Sequence, residues 1–147
     1  MSDRSFLESL EGVGIKLGLA TIDALCEALG RPERACPCLH VAGTNGKGSV
    51  TAMAAAALEL AGHRTARYTS PHLVSIAERF VVGGAPLPEA ELAAAAERVL
   101  AAEGVLLKAG WLGGPATFFE LTTAVAFDAF RAAGATMSVV EVGLGGR

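Results

Sequence analysis

A lysine set among glycines and flanked by hydroxyl and amide side chains suits the holding of phosphate, and the stretch Gly43-Thr44-Asn45-Gly46-Lys47-Gly48-Ser49 is of that kind. Glycine permits backbone conformations and close approaches that a β-carbon would block, so successive amide N–H groups can point at phosphate oxygens at the start of a helix. Lys47 adds a full positive charge. The context supports this chemistry: Cys38 to Ala42 reads as a buried strand, and Val50, Met53, Ala54, Ala57, Leu58 and Ala61 recur at helical spacing behind the loop. The stretch departs from the strict Walker pattern, because Val41 stands where the first glycine belongs and Gly48 separates Lys47 from Ser49. The plainer alternative is a glycine turn that caps a helix and leaves Lys47 solvated; a strand before and a helix after favour the phosphate cradle.

Two further oxygens could join it. Gly62 stops the first helix and Thr65 to Thr69 reads as the next strand, which delivers Ser70 to the carboxyl edge of a strand, helix, strand unit where ligands bind in open α/β sheets. The Ser70 hydroxyl is a hard donor suited to Mg²⁺, or else part of a Ser-Pro turn that satisfies local backbone. Met137 to Val140 reads as a buried strand that ends on Glu141. A carboxylate there beside a triphosphate would be repelled unless a cation lay between them, so Mg²⁺ is its natural partner; the alternative is an acid in a solvated loop. Thr117-Phe118-Phe119-Glu120 precedes an apolar run and has the form of a capping box. His72 is expected to be solvated and Glu78 beside Arg79 a simple ion pair, neither with assigned chemistry.

Five stretches together resemble folylpolyglutamate synthases and dihydrofolate synthases, ATP-dependent amide-bond ligases of the Mur ligase superfamily. They are Gly14-Ile15-Lys16-Leu17-Gly18-Leu19, the loop Ala42 to Ser49, Thr69-Ser70-Pro71-His72-Leu73, Thr117-Phe118-Phe119-Glu120, and Glu141-Val142-Gly143-Leu144-Gly145-Gly146-Arg147, in the order and approximate spacing of the family. The resemblance implies a P-loop α/β fold with a mostly parallel sheet and helices on both faces. It implies ATP binding by Gly43, Thr44, Asn45, Gly46, Lys47, Gly48 and Ser49, with Lys47 catalytic, and Mg²⁺ held by Ser70 and Glu141. It implies pteroate or folate contacts at Ile15, Lys16, Leu17, Thr117, Phe118, Phe119 and Glu120, an aromatic helix start being a sensible stacking surface for a flat heterocycle. The implied reaction adds L-glutamate to dihydropteroate or a folate through an acyl phosphate. A Mur-type ligase acting on a UDP-linked precursor would be expected to carry Ser or Thr directly after the lysine, where Gly48 stands; a nucleotide-binding module without ligase chemistry is the other rival.

Composition bounds these readings. The 147 residues are 52% hydrophobic, enough for a substantial core, yet the apolar tracts are broken by Glu59, Glu97, Arg98 and Lys108, and none approaches the ~20 residues of a membrane span. Net charge is −3 with scattered basic residues, which argues against a nucleic-acid surface. Three cysteines do not make a disulfide framework, and Cys36-Pro37-Cys38-Leu39-His40 lacks zinc-ligand spacing; buried, reduced thiols entering a strand are expected instead. The opening Met1-Ser2-Asp3-Arg4 has no long apolar core behind it, so neither secretion nor organelle import is indicated and a cytoplasmic setting is expected; a monomer is the expectation for assembly.

The scaffold elements follow the same periodicities. Thr21 is expected to cap a helix with Ile22, Leu25, Cys26 and Leu29 on one face, ended by Gly30 and Pro32. Glu78-Arg79-Phe80-Val81-Val82-Gly83-Gly84 reads as a short extended segment closed by a turn, and Pro88 opens a helix with Leu92, Ala95, Ala96, Val99 and Leu100 inward. Gly104 to Gly114 is expected to be a surface loop. The organisation expected is a helical lead-in over 1–36 and an incomplete ATP-binding domain over 37–147, with the glutamate-ligase domain absent. Because the last stretch stops in mid-motif, the chain reads as truncated and at most a weak nucleotide binder by itself.

Overall fold

A computed structural model describes residues 18–143. The chain forms two compact units, one from residues 18–33 and 88–129 and the other from residues 34–87 and 130–143. The first holds helix α1 (Ala20–Ala28), helix α3 (Glu89–Lys108) and most of helix α4 (Phe118–Ala132). The second holds β1 (Cys38–Val41), helix α2 (Lys47–Leu60), β2 (Thr65–Tyr68), β3 (Phe80–Val82), β4 (Ala85–Pro86) and β5 (Met137–Glu141).

The sheet is five-stranded in the order β1-β5-β2-β3-β4. Strands β1, β5 and β2 are parallel, whereas β3 and β4 run antiparallel on the far side of β2. The sheet is therefore mixed rather than mostly parallel. The chain returns beside β2 as β3 after residues 69–79, and the tight turn at Gly83 and Gly84, both with positive φ, folds it straight back as β4. No described helix is long and apolar enough to cross a membrane.

Register sets what reaches the sheet's carboxyl edge. Val41 lies opposite Glu141, and Val140 opposite Tyr68, so the ends of β1, β5 and β2 are level. Strand β5, last in sequence, inserts between the first two strands and carries Glu141 into the space between the glycine loop and Ser70. Helix α2 packs on β5 and β2 through Thr51 and Ala55, both buried. Small side chains here let helix and sheet approach closely.

Burial corrects several sequence expectations. Among the described residues strand β1 pairs only with β5, and Cys38, Leu39 and His40 are exposed rather than buried. The Val50 and Met53 stripe of α2 faces outward, with Met53 65% exposed, because the packing face is the Thr51 and Ala55 side. Helix α1 has Leu19 at its N-cap position with no side-chain cap, and Thr21 is buried inside the first turn, so Thr21 does not cap. Cys26 is the one buried cysteine; burial, with the negative charge of Glu33 nearby, pushes its thiol up to about 12, which makes it an inert packing group rather than a nucleophile.

In the first unit α3 buries Leu92, Ala95, Ala96 and Val99 as its periodicity predicts. It also continues through Gly104 to Lys108, where a surface loop was expected. A helical glycine costs about 1 kcal/mol relative to alanine, and buried Leu106 beyond it offsets that. Glu103, buried on the same face, accepts the Ala116 N–H at 2.7 Å and so ties the segment leading into α4.

Candidate functional site

The glycine loop leaves β1 and turns into α2. Gly46 is the N-cap of α2 with φ +75°, a left-handed conformation that side chains disfavour, and Lys47 is the first helical residue. The Lys47 ammonium folds back over the loop and donates from Nζ to the Gly43 carbonyl at 2.8 Å. The loop residues Gly43, Thr44, Asn45, Gly48 and Ser49 are all exposed, so the first-turn amides of α2 open to solvent beneath a fixed positive charge. Thr51 braces this turn by donating its hydroxyl to the Lys47 carbonyl at 2.7 Å.

Beside the loop lies a hollow of ≈ 400 Å³ lined by Gly48, Arg67, Thr69, Ser70, Pro71, Leu73, Glu78 and Glu141. All of these residues belong to the second unit. Glu141 is only 6% exposed, and its Oε2 accepts the Ser70 N–H at 3.2 Å. A β-carbon on Gly48 would come within 3.9 Å of that same Oε2, so any longer side chain there would enter the hollow. The structure thus places Gly48, Ser70 and Glu141 on one hollow, with Lys47 next to Gly48 in the first turn of α2 and its ammonium on the Gly43 carbonyl.

The donor set fits a hard cation that keeps other ligands. Ser70 and Glu141 offer oxygens only, and among the described residues no group of three or more His, Cys, Asp or Glu side chains could hold a metal. Two protein oxygens with phosphate and water completing the shell is how Mg²⁺ is commonly bound.

Glu78 has a role that sequence reasoning missed. It does not pair with Arg79. Its carboxylate accepts three backbone N–H groups, from Leu73 at 3.0 Å, Val74 at 3.0 Å and Ser75 at 2.8 Å, and it completes a capping box with Ser75 at the short helical turn Ile76–Arg79. Arg79 is buried and donates from Nε to His72 Nδ1 at 3.0 Å, so His72 is held rather than merely solvated. The only sequence signal was the Ser75-x-x-Glu78 spacing of a capping box, easily passed over ahead of so short a turn.

Those three bonds, the one from Leu73 foremost, hold the Glu78 carboxyl below the usual glutamate range. A depressed folded-state pKa contributes order above the unfolded value and loses it as pH falls through the lower folded value. The loop from Leu73 to Ser75 is therefore expected to keep its amide-exchange protection at about pH 4.3, where an ordinary glutamate is half protonated, and to lose it only at lower pH. Glu78→Ala is expected to cut that protection roughly tenfold or more at neutral pH, as the loss of charge-assisted bonds implies; unchanged protection would show that the loop is held by something else.

The remaining sequence-predicted residues are distributed as follows. Ile15, Lys16 and Leu17 lie outside the described residues. Thr117, Phe118, Phe119 and Glu120 are in the first unit at the start of α4. The capping box forms: Glu120 N–H donates to Thr117 Oγ1 at 3.2 Å, and Thr117 N–H and Oγ1 donate to Glu120 Oε2 at 2.8 and 2.9 Å. Both residues are buried with their oxygens directed at each other, while Phe119 is 39% exposed and is the aromatic face this helix start presents.

Comparison with known proteins places these features. No family model matches the chain. It is 44% identical over 135 residues to the dihydrofolate synthase/folylpolyglutamate synthase of Mycobacterium tuberculosis, an alignment that takes in 88% of the chain and 28% of that protein. Its fold superposes with TM-score 0.89 on M. tuberculosis folylpolyglutamate synthase complexed with ADP and AMPPCP, at 36% identity, covering 98% of the chain and 32% of that one. Escherichia coli FolC in complex with DHPP and ADP gives TM-score 0.83 at 36% identity, with 97% of the chain and 32% of FolC covered. The chain thus spans about a third or less of the length of these proteins. Over the part of them that it spans, the chain is similar in sequence and in fold to proteins named dihydrofolate synthase/folylpolyglutamate synthase.

Proposed function

We propose that the chain supplies the ATP-binding part, over residues 37–147, of a ligase that joins L-glutamate to dihydropteroate or a folate, with a further glutamate-ligase domain needed for turnover. The feature that supports this most is the 3.2 Å hydrogen bond from the Ser70 backbone N–H to Glu141 Oε2, which sets the two residues side by side on the hollow that Gly48 of the first turn of α2 also lines. The Gly43 to Ser49 loop would take the triphosphate of ATP through its amides, with the Lys47 ammonium over the terminal phosphates. Ser70 and Glu141 would hold Mg²⁺, whose contribution when bound is to neutralise charge on the phosphate oxygens.

A free carboxylate is a poor acyl donor. Attack of its oxygen on the γ-phosphorus breaks the bond to ADP and gives an acyl phosphate. The amine nitrogen of glutamate then adds to the acyl carbon, phosphate departs with the bonding pair, and the amine loses a proton. Lys47 and the loop amides oppose the negative charge on the transferring phosphoryl group, and no side chain of this chain is required as a covalent nucleophile. Phe119 would offer a stacking face to a pterin ring.

The test is an assay of the whole protein with Mg-ATP, L-glutamate and, in separate arms, dihydropteroate or tetrahydrofolate. ADP release that requires both the pteroyl substrate and glutamate is expected, and the arm that responds identifies the acceptor. Nucleotide binding without such turnover would favour a binding module and overturn the ligase reading.

A further inference from the structure

The hollow contains a cation that none of these roles uses. Arg67 lies on β2 opposite Val139 of β5 and Val81 of β3, three residues before Ser70, and is one of the residues that line the hollow with Gly48, Ser70 and Glu141. Its Nε is buried and has no hydrogen-bond partner among the described residues. Buried polar groups are nearly always paired, since a donor that has lost water without gaining an acceptor is destabilising, and the exceptions in native proteins tend to mark binding or catalytic positions. Arginine in the middle of a sheet, with valine on both neighbouring strands, needs such an explanation.

The local carboxylates do not supply one. Glu78 directs both of its oxygens to the amides of Leu73, Val74 and Ser75. Glu141 accepts from Ser70. No ion pair joins either of them to Arg67 among the described residues. A guanidinium in a residue that lines a hollow, with neither carboxylate of that hollow paired to it, is suited to an oxyanion, which it can grip through two parallel N–H groups.

We infer that Arg67 is an anion-binding residue of this hollow, taking an oxyanion of the ligand that lodges between the end of β2 and the first turn of α2. The inference rests on the ligase reading for the identity of that ligand. Two oxyanions of the proposed reaction would suit the fork, a phosphoryl group of the nucleotide and the carboxylate of the pteroyl acceptor. Arg67 binds and positions; it is not needed to move a proton.

Arg67→Met keeps the aliphatic stem and removes the fork, and Arg67→Lys keeps a charge without the fork. Calorimetry with Mg-AMPPCP and steady-state KM values for dihydropteroate or tetrahydrofolate are measured on wild type and both variants, with thermal melting as the fold control. Arg67→Met is expected to melt no lower than wild type, since it removes an unsatisfied donor, and to weaken one of the two anions roughly tenfold or more, the range for a bond to a charged group. Weaker Mg-AMPPCP binding identifies the phosphoryl group; a raised acceptor KM with nucleotide binding intact identifies the carboxylate. Arg67→Lys is expected to fall between, and carries the same comparison if Arg67→Met does not fold. Changes under about twofold in both quantities for a folded variant would overturn the role of Arg67 while leaving the ligase reading in place. A wild-type protein that binds neither ligand would instead sink the ligase reading and this inference with it.

Discussion

Lys47→Met is expected to weaken Mg-AMPPCP binding and to lower the ligation rate by about 10²–10³, the cost typical of removing one preorganised group that faces developing charge. The geometry explains why so much depends on one residue. The Lys47 ammonium is held 2.8 Å from the Gly43 carbonyl, so its full charge already sits at the loop that leads into the first turn of α2. The other positive potential in the cradle comes from partial charges on N–H groups, which sum to about half a unit at a helix start. Arginine should not rescue: a planar fork on a longer stem cannot reproduce a compact ammonium tucked against a loop carbonyl. Melting temperature is expected to change little, because the side chain makes one bond to an exposed loop. Calorimetry on the folded variant decides the matter, and unchanged affinity would mean that the cradle works through its amides alone.

What could be read from the sequence, and what could not, divides by the range of the interactions involved. The glycine loop and the Thr117 to Glu120 box were legible because their determinants lie within a few residues: Gly46 must adopt positive φ, and Thr117 and Glu120 are one helical turn apart. The paired Ser70 and Glu141 were legible as a combination only through the resemblance. Nothing local announces that β5 enters between β1 and β2, since strand order is chosen by packing between segments about a hundred residues apart. Helical periodicity likewise found α2 but chose the wrong face, because Val50 and Met53 are more apolar than Thr51 and Ala55, the residues small enough to let the helix lie on β5. Glu78 was misread for a related reason. An acid beside an arginine suggests an ion pair, whereas three loop amides make a better partner than an adjacent side chain directed at His72.

Glu141→Gln is expected to produce an effect whose sign depends on the cation, and that sign separates a metal ligand from a structural acid. The carboxylate is buried beside the phosphate cradle, so without Mg²⁺ it repels a triphosphate and with Mg²⁺ it attracts the complex. Glutamine keeps the shape and can still accept the Ser70 N–H, but it carries no charge. Metal-free ATP should therefore bind the variant at least as well as wild type. Mg-ATP should bind it worse, with activity down about 10²-fold and the Mg²⁺ concentration for half-maximal rate raised roughly tenfold, a loss on the scale of one charged ligand. Ser70→Ala removes the hydroxyl while leaving the backbone bond to Glu141, so it is expected to shift the Mg²⁺ requirement in the same direction by a smaller factor. If both oxygens serve one ion, the double variant will fall short of the product of the single effects. Equal binding of metal-free and Mg-bound nucleotide across all three variants would assign Glu141 to holding the Ser70 backbone and nothing more.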